Sequence, residues 1–152
     1  MKRLVEALLL IASIGGGFTG FCIVLGEIVK ATSFSMGHFI IYGSALFLFA
    51  FFVYAGLAFA ANKANIKPLK IAFLLQIPWV SSPILVYKLA SGFSLSGILH
   101  FGGFQFVYNL GSDFNFGILN GQPWGIGFNL AAVILFFLAS KFQSTVPNNQ
   151  TL

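Results

Sequence analysis

The chain has 152 residues, 58% of them apolar and only 7% charged, with a formal net charge of +5. Three acids and eight bases cannot cover a water-facing surface, so most of this surface must meet lipid. The positive charge gathers at the ends of apolar runs and builds no basic face with interleaved aromatics, which argues against nucleic acid as a partner. A single cysteine, Cys22, rules out an internal disulfide and a cysteine-built metal site.

Lys2-Arg3 and the apolar run behind them imitate a signal peptide. No small-x-small cleavage site closes the run, so an uncleaved first span over about 4–29 is expected. At 1.5 Å per residue it crosses the roughly 30 Å of hydrocarbon with some tilt. Ala12, Gly16 and Gly20 recur at every fourth position, a stripe suited to close packing against another helix of the same chain. A second span is expected over about 38–61, with a core over 46–52 that is apolar all round.

The connector over 62–70 carries Lys63, Lys67 and Lys70. Three cations in so short a loop are costly to move across a bilayer, which assigns it to the cytoplasm. A third span over about 69–88 follows. Gln76 lies near its middle, Pro78 and Pro83 are expected to kink it, and Ser81 and Ser82 can bond the freed carbonyls.

Residues 91–123 then fall outside. Phe104, Phe106, Tyr108 and Leu110 alternate with polar or small residues, as do Phe114, Phe116 and Ile118, on either side of Gly111-Ser112-Asp113. Period two around such a turn predicts a β-hairpin with Leu110 opposite Phe114, Tyr108 opposite Phe116 and Phe106 opposite Ile118. Phe93 and Leu95, alternating with Ser94 and Ser96, can add a third strand. A fifth span or re-entrant helix over about 93–110 competes with this reading and is opposed by Gly102-Gly103. Trp124 marks the re-entry into a fourth span over about 126–140. The tail, 143–152, is polar and proline-bearing and is expected to be disordered and cytoplasmic.

The expected fold is an all-α integral membrane protein. It is a four-transmembrane-helix bundle over 1–142, with a small extracytoplasmic β-hairpin between the third and fourth helices. Lys2, Arg3, Lys63, Lys67, Lys70 and Lys141 collect on one side and only Lys30 and Lys88 on the other, which predicts both termini on the cytoplasmic side. Compactness and the lack of eukaryotic sorting signals suggest a bacterial inner membrane.

Motifs for catalysis are missing. There is no Walker-type loop and no Gly-x-Ser-x-Gly elbow, and Gly15-Gly16-Gly17 has neither the lysine nor the strand of a phosphate cradle. No cofactor is expected. The reading is a non-catalytic protein that binds lipid and either a membrane-protein partner or a second copy. Its role would be that of an accessory subunit or an immunity-type protein, with Phe104, Phe106, Tyr108, Phe114, Phe116 and Trp124 as the contact set. An alternative is a small oligomeric channel or transporter lined by Gln76, Ser81, Ser82 and Glu27. A third reading places a metal or haem between His38 and His100 on the outer side, although their spacing matches no ligand motif.

Overall fold

The computed structural model describes residues 2–33, 35–119 and 121–143, which hold four helices and six strands. Two helices, α1 (Lys2–Lys30) and α2 (Met36–Ala61), are long and apolar enough to cross a membrane. The middle of α1, Ile11–Gly15, is a π-helical turn. Ser35 caps α2 by accepting the His38 N–H at 3.4 Å, while the His38 ring takes the Ser35 N–H at 3.3 Å. The two helices pack closely because small residues face the contact. A Cβ on Gly17 would lie 2.9 Å from Val53, and Gly20 sits against the Phe49 ring.

The remaining two spans expected from hydropathy do not form, and the molecule is not a four-helix all-α bundle. In place of the third, a short helix α3 (Lys67–Leu75) gives way to strands β1 (Pro78–Ser81) and β2 (Leu85–Ala90). Pro78 has no N–H and disfavours the helical conformation of Ile77, so the helix ends instead of kinking. Pro83 stands in the turn between the strands, where the Leu85 N–H reaches Ser82 Oγ at 2.9 Å.

The fourth span divides in the same way, into β6 (Gly125–Asn129) and α4 (Leu130–Gln143). Asn129 makes the boundary. Its Oδ1 accepts the N–H groups of Ala131 at 3.1 Å and Ala132 at 3.4 Å, an N-cap, and that of Leu95 at 3.2 Å. Asn129→Ala should therefore cost about 1–2 kcal/mol. It should appear as a lower Tm in mild detergent, whereas Ser140→Ala on the same helix should change little.

Between these elements lie β3 (Phe93–His100), β4 (Gly103–Leu110) and β5 (Asp113–Ile118). The six strands form one antiparallel sheet in the order β4-β3-β6-β1-β2-β5. Alternation did mark β4 and β5 as strands, but the expected hairpin between them is overturned, because they lie at opposite edges. Leu110 pairs with Phe93, and Phe114 with Leu89. Residues 93–110 are β3 and β4, not a helix.

One register runs from Leu85↔Ile118 through Ala90↔Asp113 and Phe93↔Leu110 to His100↔Gly103. Residues 85–118 are thus one long ribbon turning at Phe101-Gly102, and this long ladder outcompetes the shorter hairpin around Gly111-Ser112-Asp113. The ribbon folds midway, where the Gly111 N–H meets Gly92 O at 2.8 Å. Gly92 and Gly111 have φ of +83° and +117°, open to glycine and strained for other residues.

The connectivity forces the sheet to curl. Laid flat, β2 and β3 would stand about 14 Å apart and β4 and β5 about 24 Å apart. Ser91-Gly92 and Gly111-Ser112 make these two links, each with a reach of about 11 Å. The sheet is therefore strongly curled, with the β4 and β5 edges drawn toward each other where the ribbon folds. Its inner face mixes small or polar residues (Ser81, Ser94, Ser96, Gly117 and Asn129) with Val86 and Ile98, all of them buried. Trp79 lies over Gly125 and Gly127 on this face, where a Cβ on Gly125 would come within 3.0 Å of the indole. The outer face is apolar. Part of it, with Leu89 and Phe114, packs on the helices, and Leu95, Leu99, Ile126 and Phe128 are exposed.

The core joins all four helices through Leu9, Phe49, Phe52, Phe59, Phe73 and Leu135. At one end Lys63 pairs with Glu6 at 2.6 Å, and the Phe59 and Phe142 rings meet at 5.4 Å. The expected tail lies outside the described residues except for Gln143.

Candidate functional site

The fold of the ribbon docks on the middle of α1. A π-helical turn disturbs the regular ladder of backbone bonds, and carbonyls near it are open to other donors. Ser91 Oγ donates to Ala12 O at 2.8 Å, and Ser112 Oγ donates to Gly16 O. Thr19 Oγ1 stands 2.9 Å from both Gly16 O and Ser112 Oγ. From the far side, Gln76 at the end of α3 accepts the Ser91 N–H at 2.8 Å and donates to Ala72 O at 3.1 Å. Ser91 and Gln76 are buried, and a Cβ on Gly16 would fall within the Ser91-Gly92 backbone. The junction is held by neutral hydroxyls and amides. It positions the sheet on the helices and offers no acid, base or nucleophile activated for chemistry.

The small-residue stripe therefore meets two surfaces of its own chain, Ala12 and Gly16 the ribbon and Gly20 the Phe49 ring. The aromatic set divides between the two edges of the sheet. On β4, Phe104, Phe106 and Tyr108 are 56%, 66% and 80% exposed, and the Phe104 and Phe106 rings meet edge to face at 4.9 Å. On β5, Phe114 and Phe116 are half-buried and stacked, with Phe114 also against Phe49. Trp124 lines an apolar groove of about 530 Å³ on the outer face with Val80, Leu99, Phe101 and Ile126.

The polar candidates are scattered. Gln76 is bound beneath the sheet, Ser81 Oγ donates to Pro123 O at 2.9 Å, Ser82 closes a turn, and Glu27 pairs with Lys30 at 3.2 Å. Glu27 also lines a small cavity with Tyr42 and Asp113, whose carboxylate is paired with Lys88. His38 caps α2 and stacks on Tyr42, while His100 is at the ribbon tip, where its Nδ1 accepts the Gly102 N–H at 3.1 Å. Among the described residues no three His, Cys, Asp or Glu side chains gather as a metal site.

Sequence reasoning missed Ser91, Gly92 and Ser112. A signal for them exists: Ser91-Gly92 and Gly111-Ser112 are mirror dipeptides placed symmetrically about the Phe101-Gly102 tip. No protein-family model, curated protein or solved structure matches the chain.

Proposed function

We propose that this is a non-catalytic integral membrane protein that works by binding, with the outer face of β3, β4 and β6 turned to lipid and to a membrane-protein partner. It would serve as an accessory subunit of a membrane complex. The observation that supports this reading is the inverted polarity of the sheet. A half-solvated sheet of a soluble domain turns its polar residues outward. This one encloses Ser81, Ser94, Ser96 and Asn129 and exposes Leu99, Phe106, Ile126 and Phe128. An apolar outer face over an inner one that gathers most of the small and polar residues is the pattern of a sheet surrounded by lipid, as in membrane barrels.

In the proposed arrangement α1 and α2 cross a bacterial inner membrane and α3 and α4 reach part-way from the cytoplasmic side. The sheet then stands on the outer side of them. The end bearing Lys2, Arg3, Lys63, Lys67, Lys70 and Lys141 faces the cytoplasm.

Two single-tryptophan variants test the reading. With Trp79→Phe, Trp124 alone remains, and its emission in vesicles should be strongly quenched by brominated lipid. With Trp124→Phe, the half-buried Trp79 on the inner face should be quenched much less. Equal, weak quenching of both would put the outer face in water and end the proposal. Phe106→Ser combined with Tyr108→Ser should release the partner in mild detergent while the protein still inserts. Unchanged co-purification would move the contact away from β4.

A further inference from the structure

The β4 edge carries a more specific consequence, which rests on the membrane reading above. In an antiparallel ladder, residues alternate between those bonded to the neighbouring strand and those whose backbone groups point away from it. The Gly111 N–H bond to Gly92 O fixes the phase, because Gly92 and Gly111 continue the register of β3 and β4. Gln105, Val107 and Asn109 therefore bond to β3. Phe104, Phe106, Tyr108 and Leu110 turn their N–H and C=O groups outward, away from the sheet.

Among the described residues, these outward groups lie on an edge with none of the usual protection. Gly103–Leu110 contains no charge and no proline, and its side chains are exposed or half-exposed on both faces. Native sheets usually guard such a strand with lysine, proline, a bulge or a covering segment. The opposite edge, β5, is guarded: it begins at Asp113, which pairs with Lys88, and Phe114 packs on α2. Lipid offers no hydrogen-bond partner to a strand edge, so β4 requires a protein one.

We propose that the occupant is a second copy of this chain, joined antiparallel through β4 of each, so that the two sheets become one across a two-fold axis at Val107. Phase restricts the choice of register, because outward-facing residues must pair with outward-facing residues. With the axis at Val107, Phe106 stands opposite the second copy's Tyr108, and Phe104 opposite its Leu110, on the apolar face. On the other face Gln105 stands opposite Asn109, so each side-chain amide meets an amide. The next permitted register, centred on Phe106, sets Gln105 against Val107 and leaves that amide without a polar partner. The strand is thus self-complementary in one register, as an isologous interface requires.

The test uses the full chain in membranes, with Cys22→Ala as background. Val107 faces itself across the axis at a site not bonded to the second copy, where Cα atoms approach to about 4.5 Å, within disulfide reach. Val107→Cys oxidised with copper phenanthroline should lose its monomer band to a disulfide dimer. Gln105→Cys alone should stay monomeric, and Gln105→Cys co-expressed with Asn109→Cys should cross-link. Phe106→Pro removes an outward N–H that the protomer itself does not use and should reduce the assembled mass in mild detergent to that of one copy.

A Val107→Cys protein that remains monomeric while Trp124 is still quenched by lipid would overturn self-pairing and leave the membrane reading standing. Cross-linking of Val107→Cys to a chain of different mass would assign the edge to another protein and equally overturn it. Equal cross-linking at all three positions would mean random collision, and self-pairing would fall with it.

Discussion

Gly16→Val is expected to leave no folded protein, and Gly16→Ala to cost about 1–3 kcal/mol, the range of a forced overpacking. The magnitude follows from what a side chain would meet. The nearest atoms to a Cβ at Gly16 are the backbone of Ser91 and Gly92, which cannot rotate aside, and the Ser91 hydroxyl, which can turn only by giving up its bond to Ala12 O. Relief requires the whole ribbon to lift from α1, breaking the bonds from Ser91 to Ala12 O and from Ser112 to Gly16 O. Gly26→Ala and Gly43→Ala are the controls. Neither position has an atom within 4 Å of the added carbon, so each should be neutral or gain up to about 1 kcal/mol from helix propensity. Thermal unfolding in mild detergent, followed by tryptophan emission, reads all four variants. Wild-type stability in Gly16→Val would mean that the ribbon does not dock on α1.

Gln76→Leu should be the next most damaging change, lowering stability by roughly 3 kcal/mol. A buried donor left without an acceptor costs about 1–3 kcal/mol, and two groups lose their partner here. The Ser91 N–H loses its bond to Oε1, and Ala72 O loses the donor Nε2. Ser91 is fully buried, so water cannot replace the amide. Ser91→Ala separates the two contributions, since it keeps the N–H bond to Gln76 and removes only the hydroxyl bond to Ala12 O. It should cost about 1 kcal/mol, the typical net value of one hydrogen bond. Hydrogen exchange at the residue 91 amide should accelerate in Gln76→Leu far more than in Ser91→Ala. Matching exchange rates would count against Gln76 as the clamp.

Composition and the first two apolar runs were sufficient to place α1 and α2, because a long, continuous apolar stretch has few other solutions. The later half misleads a hydropathy reading for a physical reason. Residues 69–88 join the apolar helix α3 directly to strands whose outer positions are apolar and whose inner ones include Trp79 and Val86, so the stretch reads as one span. Punctuation carried the distinction. Pro78 begins a strand, and Asn129 caps a helix that starts four residues later than the apolar run. Alternation located β4 and β5, yet pairing is a long-range property, and Gly111-Ser112-Asp113 resembles a hairpin turn while acting as one half of a fold in a longer ribbon. The stripe of Ala12, Gly16 and Gly20 was legible as a packing surface. That Ala12 and Gly16 meet a β-ribbon while Gly20 meets α2 could not be read from helix spacing.

The short helices α3 and α4 also constrain how the protein reaches its final position. At 1.5 Å per residue they extend about 14 Å and about 21 Å, and neither traverses the roughly 30 Å of hydrocarbon. In the proposed arrangement, lateral release from a translocation channel one helix at a time is closed to the polypeptide after α1 and α2. Its second half would have to assemble before immersion, because bare strands entering oil would carry every peptide group unbonded. The ribbon is suited to that order of events, since its zipper can close outward from Phe101-Gly102 using sequence neighbours alone.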